Sequence, residues 1–149
     1  MKYNILILLL TLIIFTGCNK SQLTCEKRAK NPGYTYNESY KLVYDENGNN
    51  LKQINIKMES VYNEHYTVEE IEEEYDEVVE HCDFYESASS KLVECRAKLN
   101  NSVITVNVKI KVDKISDDLF ENMMYVTKKE INKRKEAKKM LENVGYTCE

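Results

Sequence analysis

The chain has 149 residues, a formal net charge of −4, and 42% hydrophobic and 31% charged residues. That length suits one domain with a core of its own and requires no second. The charge is mixed and lacks the broadly basic surface that a phosphate backbone demands, so nucleic acid is excluded as a partner.

Lys2 precedes an apolar run from Ile5 to Phe15 that stops at Thr16-Gly17-Cys18. The run is about half the roughly 20 residues that cross a bilayer as a helix, and it has the layout of an export signal. Its end resembles the bacterial lipobox, an apolar residue, two small residues and a cysteine, where lipoprotein signal peptidase cleaves after the cysteine is diacylated. The resemblance implies a signal peptide over residues 1–17 and a lipid on Cys18. It places the protein at the extracytoplasmic face of the cell membrane, with the membrane as a partner through the anchor. Phe15 stands where the pattern usually has Leu, Val or Ile, which keeps a plain secretory signal or an uncleaved anchor as the alternative. Residues 18–22 then form a short tether, and residues 23–149 the domain.

Cys25, Cys82, Cys95 and Cys148 remain, an even number in an exported domain, the setting in which disulfides persist. A four-thiolate zinc site normally brings its ligands in close pairs, and these cysteines are widely spaced. Two disulfides are expected, with zinc or free thiols as the competing readings.

Leu23 to Ala29 reads as a first strand, closed by the turn signal Asn31-Pro32-Gly33. Tyr36, Tyr40, Leu42 and Tyr44 recur at even positions, the period of a half-buried strand. Glu46-Asn47-Gly48-Asn49-Asn50 supplies a hairpin turn, and Ile54, Ile56, Met58 and Tyr62 form the inward face of a third strand. Thr67-Val68-Glu69-Glu70 is a capping box. The helix that it opens carries Val68, Ile71, Tyr75, Val78, Val79, Cys82 and Tyr85 as one apolar stripe.

After a break at Ser87-Ala88-Ser89-Ser90, Val93, Cys95, Ala97 and Leu99 point inward on one strand of a hairpin. Asn100-Asn101 turns the chain, and Ile104, Val106, Val108, Ile110 and Val112 point inward on the return. Ser116-Asp117-Asp118 caps a short helix to about Asn122. Thr127-Lys128-Lys129-Glu130 opens a last helix bearing Ile131, Met140, Leu141 and Val144 and ending at Gly145. The sum is an α+β domain: an antiparallel sheet of about five strands, arranged as a three-strand meander, a helix, a hairpin and a C-terminal helix, with helices over one face.

Cys82 ends the first long helix on its apolar side, and Cys95 faces inward on the strand that returns along it, so these two are expected to pair. Cys25 lies in the first strand and Cys148 beyond the Gly145 stop, where the chain returns to a sheet edge, which makes them the second pair.

Thr16-Gly17-Cys18, the strand Tyr40-Lys41-Leu42 and the ending Val144-Gly145-Tyr146 together resemble the YehR-like family of small bacterial lipoproteins. The resemblance covers nearly the whole chain after the signal. It implies a sheet-and-helix fold and no established catalytic residue.

His65 lies in the polar link before the first helix and His81 on that helix, neither beside a nucleophile in a recognised motif. No catalytic, metal or cofactor-binding residue is assigned. A binding or structural role in the envelope, with a protein or envelope ligand as partner, is the expectation. A small hydrolase or redox protein using His81 or an exposed thiol is the alternative. The segment from Glu69 to Glu86 carries ten acidic side chains and no Lys or Arg, whereas the last helix is rich in lysine. Opposite charge favours the two helices lying side by side.

Overall fold

The computed structural model describes residues 21–149. The chain runs β1 (Gln22–Lys30), β2 (Tyr34–Tyr44), β3 (Leu51–Tyr62), α1 (Val68–Ala88), β4 (Val93–Asn100), β5 (Val103–Lys111), α2 (Asp117–Met124), α3 (Lys128–Ile131), α4 (Arg134–Asn143) and β6 (Thr147–Cys148). The strands form one six-stranded antiparallel sheet in the order β4-β5-β3-β2-β1-β6. The expected α+β architecture is present, enlarged by β6. Cys18 and the apolar leader lie outside the described residues. β1 begins at Gln22, inside the tether expected over residues 18–22, and the Ser21 carbonyl already accepts from the Tyr44 N–H.

Period-2 patterning gives the sheet two unlike faces. Across the inner face run rows such as Leu23, Leu42, Ile54, Ile110 and Val93, and below it Cys148, Cys25, Tyr40, Ile56, Val108 and Cys95. The outer face carries Arg28, Lys30, Lys41, Lys57, Arg96, Lys98, Lys109 and Lys111 against Glu26, Glu59 and Glu94, and no helix covers it. The molecule is therefore polarised, with the acidic side chains of α1 on the opposite side from this basic surface.

The turns follow side-chain chemistry. In the β2–β3 connection, Asp45 accepts from the Asn49 N–H at 2.9 Å while Gly48 takes a positive φ of 69°, a conformation that suits glycine. Thr67 caps α1 through the reciprocal pair with Glu70, and Ser116 caps α2 by accepting from the Leu119 N–H.

The last helix departs from its expected single span. The Thr127 capping box forms, but it opens only the one-turn α3, and Lys133 turns extended before α4 begins. Sheet groups capture the break: Tyr44 donates to the Ile131 carbonyl, and the Leu51 N–H donates to Asn132 Oδ1. These tertiary bonds replace the helical continuation that sequence periodicity favours. The residue after α4 that turns left-handed is Gly145, with φ of 93°, as expected for a helix exit.

α1 and α4 do not lie side by side. α1 is fastened to the β4 edge, where Cys82 bonds Cys95 and Glu86 Oε1 accepts the Cys95 N–H at 2.7 Å. α4 sits at the other edge, where Arg134 Nε donates to the Gln22 carbonyl and the chain beyond the helix enters β6 beside β1. Exposed charge pairs contribute little, so apolar burial and two covalent links decide the placement.

The core divides accordingly. Phe120, Ile131, Ala137 and Leu141 from α2–α4 pack on Leu23, Leu42, Ile54 and Ile110, all buried. Ile71 and Cys82 of α1 pack on Ile104 and Val106 in a second cluster. Val68, expected in the α1 stripe, is the first residue of the helix and is 67% exposed. Both clusters, all six strands and both disulfides lie within residues 21–149, so this stretch closes its own core.

Candidate functional site

Two helical groups at opposite sheet edges leave part of the inner face uncovered between them. Lys27, Ala29, Tyr36 and Glu38 occupy a quarter of that face belonging to neither buried cluster. Glu38 sits in the inward register between Tyr36 and Tyr40, a charge where the strand pattern calls for an apolar residue. The structure satisfies it with phenols. Tyr40 donates to Glu38 Oε1 at 2.9 Å, and Tyr146, from the C-terminal segment, donates to Glu38 Oε2.

Lys27 stands directly across the β1–β2 ladder from Glu38, yet its ammonium turns to the Val144 carbonyl at 2.8 Å and lies 5.2 Å from the centre of the Tyr146 ring. Tyr36, Tyr40 and Tyr146 are all raised well above the ordinary phenol value, first by burial and then by Glu38, through its charge at Tyr36 and Tyr40 and through the hydrogen bond at Tyr146. They remain protonated donors throughout the neutral range.

A hollow lies on either side of this network. One, of about 210 Å³, is lined by Tyr40, Met124, Val126, Met140, Val144 and Tyr146 and is apolar. The other, of about 270 Å³, opens under α1. The sheet supplies Tyr36, Met58, Ser60, Tyr62, Ile104, Val106 and Val108 to it, and α1 supplies Glu74, Val78, His81, Cys82 and Tyr85. The α1 residues share one helix face by their spacing, so the stripe that packs the helix also roofs the hollow. Tyr62 is raised by burial and by the Glu74 charge. Its lining, apolar with a few converging polar groups, is of the kind that small-ligand sites use, in a space just below their usual size.

His81 lies at this hollow, its Nδ1 2.8 Å from the Glu77 carbonyl. A carbonyl only accepts, so the proton is on Nδ1, and Nε2 of the neutral ring is left as an acceptor. His65 is remote and exposed, its ring nitrogen 2.9 Å from Asn63 Oδ1. The four cysteines pair as expected, Cys25 with Cys148 and Cys82 with Cys95. All four of these sulfurs are thus in disulfides.

Among the described residues no cluster of three His, Cys, Asp or Glu side chains is arranged to hold a metal ion. Among them also, no helix is long and apolar enough to cross a membrane.

Sequence reasoning identified the disulfides, named His81 only for the alternative hydrolase or redox reading, and passed over Glu38 and Ser60. Both were visible as polar interruptions in the inward register of β2 and β3, between Tyr36 and Tyr40 and between Met58 and Tyr62.

No family model matches this chain, and no curated protein does. Among solved structures it is similar to an NMR structure of a protein from Streptococcus pneumoniae TIGR4, with a TM-score of 0.54 over 86% of this chain and 84% of that one. Identity between the two is 10%, so the likeness shows a shared fold alone.

Proposed function

We propose that this chain is a lipid-anchored protein of the extracytoplasmic face, related to the YehR-like lipoproteins, that works by holding a ligand under α1 without acting chemically on it. The lipobox-like ending at Cys18 supports the anchor. Two disulfides support an oxidising compartment, since such bonds are rare where cytosolic reductants keep thiols reduced.

The observation that carries the binding role is the 270 Å³ hollow, because a helix disulfide-bonded to the sheet edge leaves an apolar space beside it unfilled. The groove is open to solvent, and an apolar body that displaces water from its lining gains by that burial.

Metabolic labelling with a fatty acid tests the anchor: label on the wild type and none on Cys18→Ser is expected. Label retained by the variant, or a mature chain beginning elsewhere than residue 18, would refute it. Binding is tested by NMR titration of residues 18–149 carrying Cys18→Ser, with octanol as a neutral probe. Shifts confined to Ser60, Val78 and His81, lost when Val78→Trp fills the space, are expected. Uniform or absent shifts would overturn the binding role.

A further inference from the structure

The hollow under α1, about 270 Å³ and open to solvent on one side, has room for a small organic body. Met58, Val78 and Val106 give it an apolar lining, and the rings of Tyr36, Tyr62 and Tyr85 border it. Glu74 is the charged side chain in that lining.

We infer that the occupant is an amphipathic organic cation, a compact aliphatic or aromatic body carrying a protonated amine, with the amine directed to Glu74. This rests on the reading of the α1 hollow as a binding site and adds the chemistry of what fills it. Tyrosine faces attract cations through the ring quadrupole, so the aromatic border favours the amine as well as the body.

The surroundings act in the same direction. From Glu69 to Glu86 the roof helix has carboxylates and no Lys or Arg, while Lys57, Arg96, Lys98, Lys109 and Lys111, on the strands beneath it, project from the far face of the sheet. The low-dielectric sheet lies between the two, and a mouth lined by one sign of charge concentrates the opposite sign. An anion entering beside α1 would meet like charge.

The proposal is tested on residues 18–149 with Cys18→Ser, which contain the whole fold, by NMR titration with octylamine, octanol and octanoate in parallel. The three share one tail and differ in head charge. Octylamine should shift Ser60, Val78 and His81 and bind about fivefold tighter than octanoate, the scale of a partly exposed ion pair. Glu74→Gln should remove most of that preference, whereas Glu73→Gln, about 200° round the helix from the buried Ile71, should keep it.

Octanoate binding as well as or better than octylamine would overturn the charge assignment, even with octanol still seated in the hollow. A preference unchanged by Glu74→Gln would overturn the role of that carboxylate. If octanol and both charged probes all fail to shift these residues, the binding site itself is refuted.

Discussion

Cys25 and Cys148 stand directly opposite one another in the β1–β6 ladder, with Cα atoms 4.1 Å apart and their sulfurs bonded. The neighbouring pair, Thr24 and Glu149, exchanges both backbone hydrogen bonds. Cys25 and Cys148 are therefore the non-hydrogen-bonded pair, the position in an antiparallel ladder where side chains approach most closely. A two-residue strand is too short to hold a sheet edge by its ladder alone, and the covalent bond makes it permanent.

The two disulfides should differ in worth. They close spans of 123 and 13 residues, for which the chain-entropy relation gives about 5 and about 3 kcal/mol. Cys25→Ala/Cys148→Ala should therefore lower the denaturant midpoint more than Cys82→Ala/Cys95→Ala. The reverse order in urea titrations would mean that tension between α1 and β4, and not loop closure, governs stability.

Stability should fall on the alkaline side. Burial and then Glu38 raise Tyr36, Tyr40 and Tyr146 in the folded state above the value of 10.0 that they take when unfolded. The unfolded chain thus loses these protons first as pH climbs. Their contribution is complete below about pH 10 and drains as pH rises toward the folded values. Denaturant midpoints compared at about pH 8 and about pH 11 should show the loss, and Tyr146→Phe should make it shallower. At neutral pH that substitution should cost about 1 kcal/mol, the worth of one partly exposed hydrogen bond.

Burial along α1 predicts two unequal truncations. Ile71 is 5% exposed against Ile104 and Val106, whereas Val68 is 67% exposed. Ile71→Ala should cost about 2–4 kcal/mol, and Val68→Ala less than about 0.5 kcal/mol. Equal effects in a denaturant titration would contradict this seating of the helix.

Removing the α1 cap tests the helix start alone. The Thr67 hydroxyl accepts from the Glu70 N–H while Glu70 Oε2 accepts from the Thr67 N–H. Thr67→Ala should cost about 1 kcal/mol, with hydrogen exchange accelerating over the first turn of α1 and not at its disulfide-held end. Acceleration along the whole helix would indicate that the cap, and not Cys82, anchors α1.

Local chemistry determined much of this protein. Alternation in β2, β3 and β5, the capping boxes at Thr67 and Thr127 and the exit at Gly145 are short-range signals, and each element started where they placed it. The disulfide pairing was also legible, because the polarity of each flanking element said which way its cysteine faced.

Other features needed the folded chain. The split between α3 and α4 depends on Tyr44 and Leu51, which are distant in sequence and hydrogen-bond the break. The separation of acidic α1 from basic α4 reflects which sheet edge each is bonded to, a choice that charge alone is too weak to make. Glu38 gains its second phenol partner only when Tyr146 returns across 108 residues to β2, and the hollow under α1 is assembled from residues of that helix and of β2, β3 and β5. Periodicity specifies which face of an element is buried. The partner that covers it, and the gap left beside it, are set by contacts between residues far apart in the chain.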